Sequence, residues 1–191
     1  EAINDRNARA EVMSRTLAFF NSPRVRFNYA LDRLIDPLIG KAGSTLSVSI
    51  DLHNLDEVAP TTTFNISVSS AWGASITPTL TTINTCSQGA FTLTVDIPIT
   101  ATIDARQLLT ITAHPIVSPA LSVSSTLLVK APASVLLVDD DRWYPVDQSY
   151  RTALIANKIS YDFWRVPASW AGVDPAVPSF DRLSWYPEVI W

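Results

Sequence analysis

Between residues 45 and 129 the apolar side chains recur at every second position. In "TLSVSIDL" (45–52), Leu46, Val48, Ile50 and Leu52 alternate with Ser47, Ser49 and Asp51. "TFNISVS" (63–69) does the same with Phe64, Ile66 and Val68, and "FTLTVDI" (91–97) with Phe91, Leu93, Val95 and Ile97. "LLTITAH" (108–114) and "LSVSSTLLV" (121–129) continue the pattern. Neighbouring side chains of an extended strand point to opposite faces, so this rhythm suits sheets with one buried and one wet face and does not suit a helix. Turn residues separate the runs: Gly40 with Gly43, Pro60, Trp72-Gly73, Gln88-Gly89, Pro98, Pro115 and Pro119. The spacing predicts an antiparallel β-sandwich over 24–131, with an earlier strand drawn from "RVRFNYAL" (24–31).

The rhythm changes at "APAS" (131–134). "SVLLV" (134–138) is an unbroken apolar run, as expected of a strand covered on both faces in a parallel sheet. Asp147 is placed to cap a helix carrying Tyr150, Leu154, Ile155 and Ile159, and "YDFWRV" (161–166) and "YPEVIW" (186–191) follow as strands. That order is the opening of a doubly wound α/β unit. At the other end, Ala10, Met13, Leu17 and Phe20 form one stripe of a helix over 4–20, and "NSP" stops it. The expected class is mainly β: a helix within 1–23, the sandwich at 24–131, and the truncated start of a doubly wound α/β domain at 132–191. Both ends read as cut from a longer polypeptide.

Composition narrows the function classes. A formal net charge of −4 and no basic face argue against nucleic acid. The arginines at 6, 9, 15, 24, 26 and 33 are interleaved with Asp5, Glu11 and Asp32, the pattern of a solvated surface. Cys86 is the only cysteine, so no intrachain disulfide or four-cysteine zinc site can form. No 18-residue apolar run is present to span a membrane as a helix.

The run "SVLLVDDDRWYPVDQSYRTALIANKISYDFWRV", followed by "FDRLSWYPEVIW", resembles the start of the flavodoxin-like, glutamine-amidotransferase-like modules of large secreted bacterial proteins. Such modules accompany subtilisin-like and immune-inhibitor-A-type peptidases. "EAINDRNARAEVMSRTLAFF" is similar to the closing helix of such a preceding α/β module (1–23), and "FNISVSSAW" and "LTVDIPITA" resemble Ig-like accessory β-sandwiches of the CARDB and NPCBM-associated type (24–131), so the resemblance implies a truncated flavodoxin-like α/β domain at 132–191. The resemblance implies an extracellular or cell-surface location and other modules of the same polypeptide as partners. No peptidase motif falls within these residues, so any such activity would lie outside them.

Asp139, Asp140 and Asp141 are the main candidates for chemistry. At the C-terminal end of a parallel strand they enter the crevice where α/β sheets bind ligands, and carboxylates there would hold Ca²⁺ or Mg²⁺ through oxygen. The ordinary alternative is a solvated strand-to-helix loop favouring the next helix N-terminus; a phosphorelay would need an acceptor after the third strand. No catalytic residue is assigned. His53 and His114 end sandwich strands without a nucleophile setting, and Cys86 is expected as a buried or half-buried thiol. Asn65-Ile66-Ser67 fits a glycosylation acceptor but sits within a strand. Trp143, Trp164, Trp170, Trp185 and Trp191 are expected in the α/β core and its seam with the sandwich, and Trp72 between sandwich strands.

The expected role is a non-catalytic structural spacer or adhesion module, with no resident cofactor beyond that cation. Its free strand edges offer a route to homo-oligomers or a surface assembly. The alternative is an appended part of a secreted peptidase, or a ligand- or cation-binding α/β enzyme fragment.

Overall fold

The computed structural model describes residues 12–15, 29–32, 37–55, 61–140, 147–166 and 177–191. The first part consists of β1 (Tyr29–Leu31), β2 (Leu38–Ile39), β3 (Thr45–Asn54), β4 (Thr61–Ser69), β5 (Gly73–Thr77), β6 (Leu80–Asn84), β7 (Ser87–Asp96), β8 (Arg106–Pro115) and β9 (Val123–Lys130). One sheet has the order β1-β3-β7-β5 and the other β2-β9-β8-β4-β6. With β1, β3, β4, β5, β7, β8 and β9 lettered A to G, the sheets read A-B-E-D and G-F-C, the immunoglobulin arrangement. The short β2 runs parallel to β9 on one side, and β6 extends the second sheet beyond β4 on the other.

Alternation along each strand decides what fills the space between the sheets. Ile50 and Leu52 of β3, Phe91, Leu93 and Val95 of β7, Phe64 and Ile66 of β4, and Leu109 and Ile111 of β8 form one buried cluster. Their neighbours form polar ladders outside: Ser47 and Ser49 lie opposite Thr94 and Thr92, and Thr110 and Thr112 opposite Thr126 and Ser124. Tyr29 meets Phe64 edge to face at 4.9 Å and closes one end of the core. Between β2 and β3 the chain turns through Gly43 at φ +79°, and the Gly43 N–H bonds the Ile97 carbonyl at 3.0 Å. A side chain at that φ would be strained.

The second part consists of β10 (Val135–Asp139), α1 (Asp147–Ala156), β11 (Tyr161–Arg165), α2 (Phe180–Leu183) and β12 (Glu188–Ile190). The central β10 pairs parallel with β11 on one side and β12 on the other. It is buried along its length, which explains its lack of alternation. Val135 and Leu137 pack with Leu154 of α1 on one face, whereas Leu136 and Val138 pack with Val166, Tyr186 and Leu183 on the other. α1 buries only Leu154, leaving Tyr150 and Ile155 largely exposed, and its Arg151 guanidinium lies 3.7 Å over the Phe163 ring. Of the helix expected over 4–20, residues 12–15 are described; they are helical and exposed, Met13 included, and the rest lies outside the described residues.

The join between the two parts is short and polar. Ala131 and Ala133 are buried, and β9 leads into β10 through four residues. Lys130, at the end of β9, pairs its ammonium with Asp104 of the sandwich and with Asp162 of β11, the latter at 2.6 Å. The second Asp162 oxygen accepts the Ala133 N–H at 3.0 Å. The Asp104 N–H bonds the Pro132 carbonyl at 2.9 Å. Arg182 of α2 donates to the Ile39 carbonyl of β2 at 3.1 Å while its guanidinium covers the Trp185 ring at 4.3 Å.

Two predictions follow from this packing. Phe64→Ala removes a fully buried ring and its Tyr29 partner contact, and should lower unfolding stability by about 3–5 kcal/mol in urea titration. Asp104 reports on the join: burial raises its pKa, but hydrogen bonds from Lys130 and Arg106 outweigh burial and hold it below the ordinary 3.8. A carboxyl depressed in the folded state contributes stability above its unfolded pKa and loses it as pH falls through the folded value. Wild type should therefore lose stability more steeply than Asp104→Asn as the pH drops below 3.8, read by tryptophan fluorescence. Superimposable acid profiles would contradict this.

Candidate ligand cleft at the end of the parallel sheet

The apolar run of β10 ends where the strand leaves the sheet, and the acidic run begins there. Asp139 is still paired in the sheet, opposite Arg165 of β11, and its side chain is 95% buried. Burial of a lone carboxylate is costly. Arg165 offsets it, with Nε 3.1 Å from Asp139 Oδ2. The next residue, Asp140, is exposed. Asp141 lies outside the described residues.

A cleft of about 330 Å³ opens at this point. Leu137, Val138, Asp139 and Asp140 line it from β10 and its exit, Ile190 and Trp191 from the end of β12, and Asp147 and Tyr150 from α1. The cleft thus lies at the carboxyl ends of two adjacent parallel strands, with α1, which follows β10, on the Val135 face and Leu183 of α2, which precedes β12, on the Leu136 face. Asp147, expected as a cap, instead stands in the first turn of α1, where its charge complements the helix dipole. It pairs with Arg151 one turn on, Nε to Oδ2 at 3.0 Å. The cleft therefore presents three carboxylates, a phenol and an indole. That set suits a hard cation or a polar organic ligand with donor groups. Among the described residues no group of three or more His, Cys, Asp or Glu is arranged to hold a metal ion.

Tyr150, Trp191 and Asp147 were not foreseen as cleft residues. Their signal was faint: Asp147 opens the helix after the acidic run, and Trp191 follows the third strand, but only the sheet brings them together. The remaining candidates stand apart from the cleft. His53 is hydrogen-bonded through Nε2 to Asp32 Oδ1 at 2.7 Å, and His114 lies opposite Asn65 across the β4–β8 pair. Cys86 is exposed, contrary to the expectation of a buried or half-buried thiol. It occupies the turn between β6 and β7 at φ +53°, and a tight turn at a sandwich end leaves no layer to cover it. Asn65 is exposed within β4. Trp164 and Trp185 pack against the Leu136 face of the parallel sheet, and Trp72 packs against the sandwich core. Trp191 is largely exposed at the cleft, whereas Trp143 and Trp170 lie outside the described residues.

No protein-family model matches this chain, and no curated protein matches it either. Among solved structures it is similar to the PapD-like domain 7 of human CEP192, at 13% identity and a TM-score of 0.38, over 55% of this chain and 84% of that one. It is also similar to the E. coli chaperone DraB, at 15% identity and a TM-score of 0.39, over 55% of each chain. The Pseudomonas aeruginosa CupB2 chaperone gives 10% identity and a TM-score of 0.40, over 66% of this chain and 61% of that one. At such scores the likeness carries no argument, and the sandwich assignment stands on the strand order above.

The pairing at Asp139 can be tested directly. Arg165→Gln removes the cation from a buried carboxylate and should lower stability by about 1–3 kcal/mol in urea titration, and Asp139→Asn in the same background should recover part of the loss.

Proposed function

We propose that this chain is a non-catalytic spacer of a larger secreted or cell-surface protein. In this reading a CARDB-like or NPCBM-associated sandwich (24–131) holds a flavodoxin-like unit (132–191) in a set orientation. The observation that carries the reading is the connection at 131–133: it is buried throughout, where a tether between independent modules would be exposed and rich in Gly or Ser. The strand order β11-β10-β12 also matches the opening of the flavodoxin-like order, second-first-third. The surface chemistry suits an extracellular setting. The chain has three lysines, and from 61 to 103 the one charged side chain is Asp96, so solubility there rests on Ser and Thr hydroxyls. Among the described residues β5 and β6 each pair on one side only, which adds a route to self-assembly by strand pairing. Protease treatment of intact source cells should release fragments of this region; recovery solely from the cytosolic fraction would overturn the location.

A second reading rests on the cleft. Asp140 at the carboxyl end of β10 favours a divalent cation or a ligand carrying one, with Asp139 paired to Arg165, Asp147 paired to Arg151 and Asp141 next in the chain. Millimolar Ca²⁺ or Mg²⁺ should raise the melting temperature of wild type and not of Asp140→Ala, since a ligand bound only to the folded state stabilises it by mass action. Equal melting with and without ion leaves the acidic run as a solvated loop.

A further inference from the structure

The two parts of the chain do not share an apolar core: the sandwich cluster and the clusters on the two faces of the parallel sheet contain different residues. What crosses the boundary is charge. We infer that Lys130 is an electrostatic latch that sets the angle between the sandwich and the parallel-sheet unit, acting on orientation more than on stability. The inference deepens the spacer reading and rests on it for its biological use.

The first support is the source of the two carboxylates. The Lys130 side chain is 4% exposed, so its ammonium must be neutralised where it lies. Asp104 comes from the loop before β8, and Asp162 comes from β11 on the far side of the join. Both reach one nitrogen in only one relative placement of the two units. Ionic hydrogen bonds are directional, whereas small apolar surfaces such as Ala131 and Ala133 tolerate sliding.

The second support is backbone conformation. Asp104 has φ +58°, a region that costs a non-glycine residue energy and persists where the surroundings demand it. That conformation allows its N–H to hold Pro132 while its carboxylate meets Lys130. The third support is that Asp162 spends its other oxygen on the Ala133 N–H, so one carboxylate fixes both the cation and the connecting backbone. The surrounding groups complete the set. Arg106 bonds Asp104 at 2.8 Å, Arg182 is committed to the Ile39 carbonyl, and the buried Tyr186 phenol has its pKa raised by burial and then by the charge of Asp162.

The test uses the native chain with two nitroxide labels, one on Cys86 and one on Ser149→Cys, both exposed and on opposite sides of the join. Electron-electron resonance should give a single narrow distance distribution in wild type. Lys130→Met leaves two carboxylates facing each other; it should lower the melting temperature by on the order of 10 °C and broaden the distribution. Lys130→Met with Asp162→Asn removes the ion pair yet keeps an acceptor for Ala133; it should melt close to wild type and still be broad. A double variant as narrow as wild type overturns the latch, as does one that loses as much stability as Lys130→Met alone. A broad distribution in wild type itself would sink the rigid-spacer reading, which separates the two failures.

Discussion

A protonated amine cannot remain in a protein interior without compensating charge, and at Lys130 this chain meets that demand with one carboxylate from the loop before β8 and one from β11. The rest of the arrangement follows from where those carboxylates stand. Asp104 ties the loop before β8 to the connection, and Asp162 ties β11 to the same point, so the parallel sheet is positioned against the sandwich by its second strand. Arg182 reinforces the contact from α2 by reaching the β2 backbone. The join is thus built of directional bonds around two small alanines, and each unit keeps its own apolar core.

That construction has a consequence for the cleft. The Leu136 face of the parallel sheet, with Trp164, Trp185 and Tyr186, packs with Leu183 of α2, whose Arg182 reaches the sandwich at Ile39, and α1 covers the opposite face. The C-terminal ends of β10 and β12 are left to line the cleft, with Asp140 and Asp147 at its edge. In the spacer reading, support and cleft occupy different sides of one small sheet.

The long alternating strands of the sandwich were legible residue by residue, because β3, β4, β7, β8 and β9 each carry three or more turns of the two-residue rhythm. The short ones were not. β5 and β6 lie on either side of Pro78, and β5 itself opens on Gly73 after Trp72, so turn residues masked two five-residue strands. β2 is two residues long, too short to show a period. At the acidic run, proximity in sequence indicated a polar strand end but could not tell that Asp139 is neutralised by Arg165 while Asp140 is free to face the cleft. Asp147 read as a cap because caps and first-turn acids use the same residue type for related reasons. Cys86 read as buried because apolar preference is an average over positions, whereas its exposure is decided by a turn.

Period and continuity of apolar residues are local properties, since they follow from the pleat and from whether one face or two meet solvent. The sequence alone therefore determined that this chain carries alternating strands up to residue 129 and a doubly covered strand after 134. Strand order, the cleft at the end of β10 and the partners of Lys130 are relations between residues far apart in the chain. They depend on which faces come together and on which buried charges can be neutralised there, and only the tertiary structure decided them.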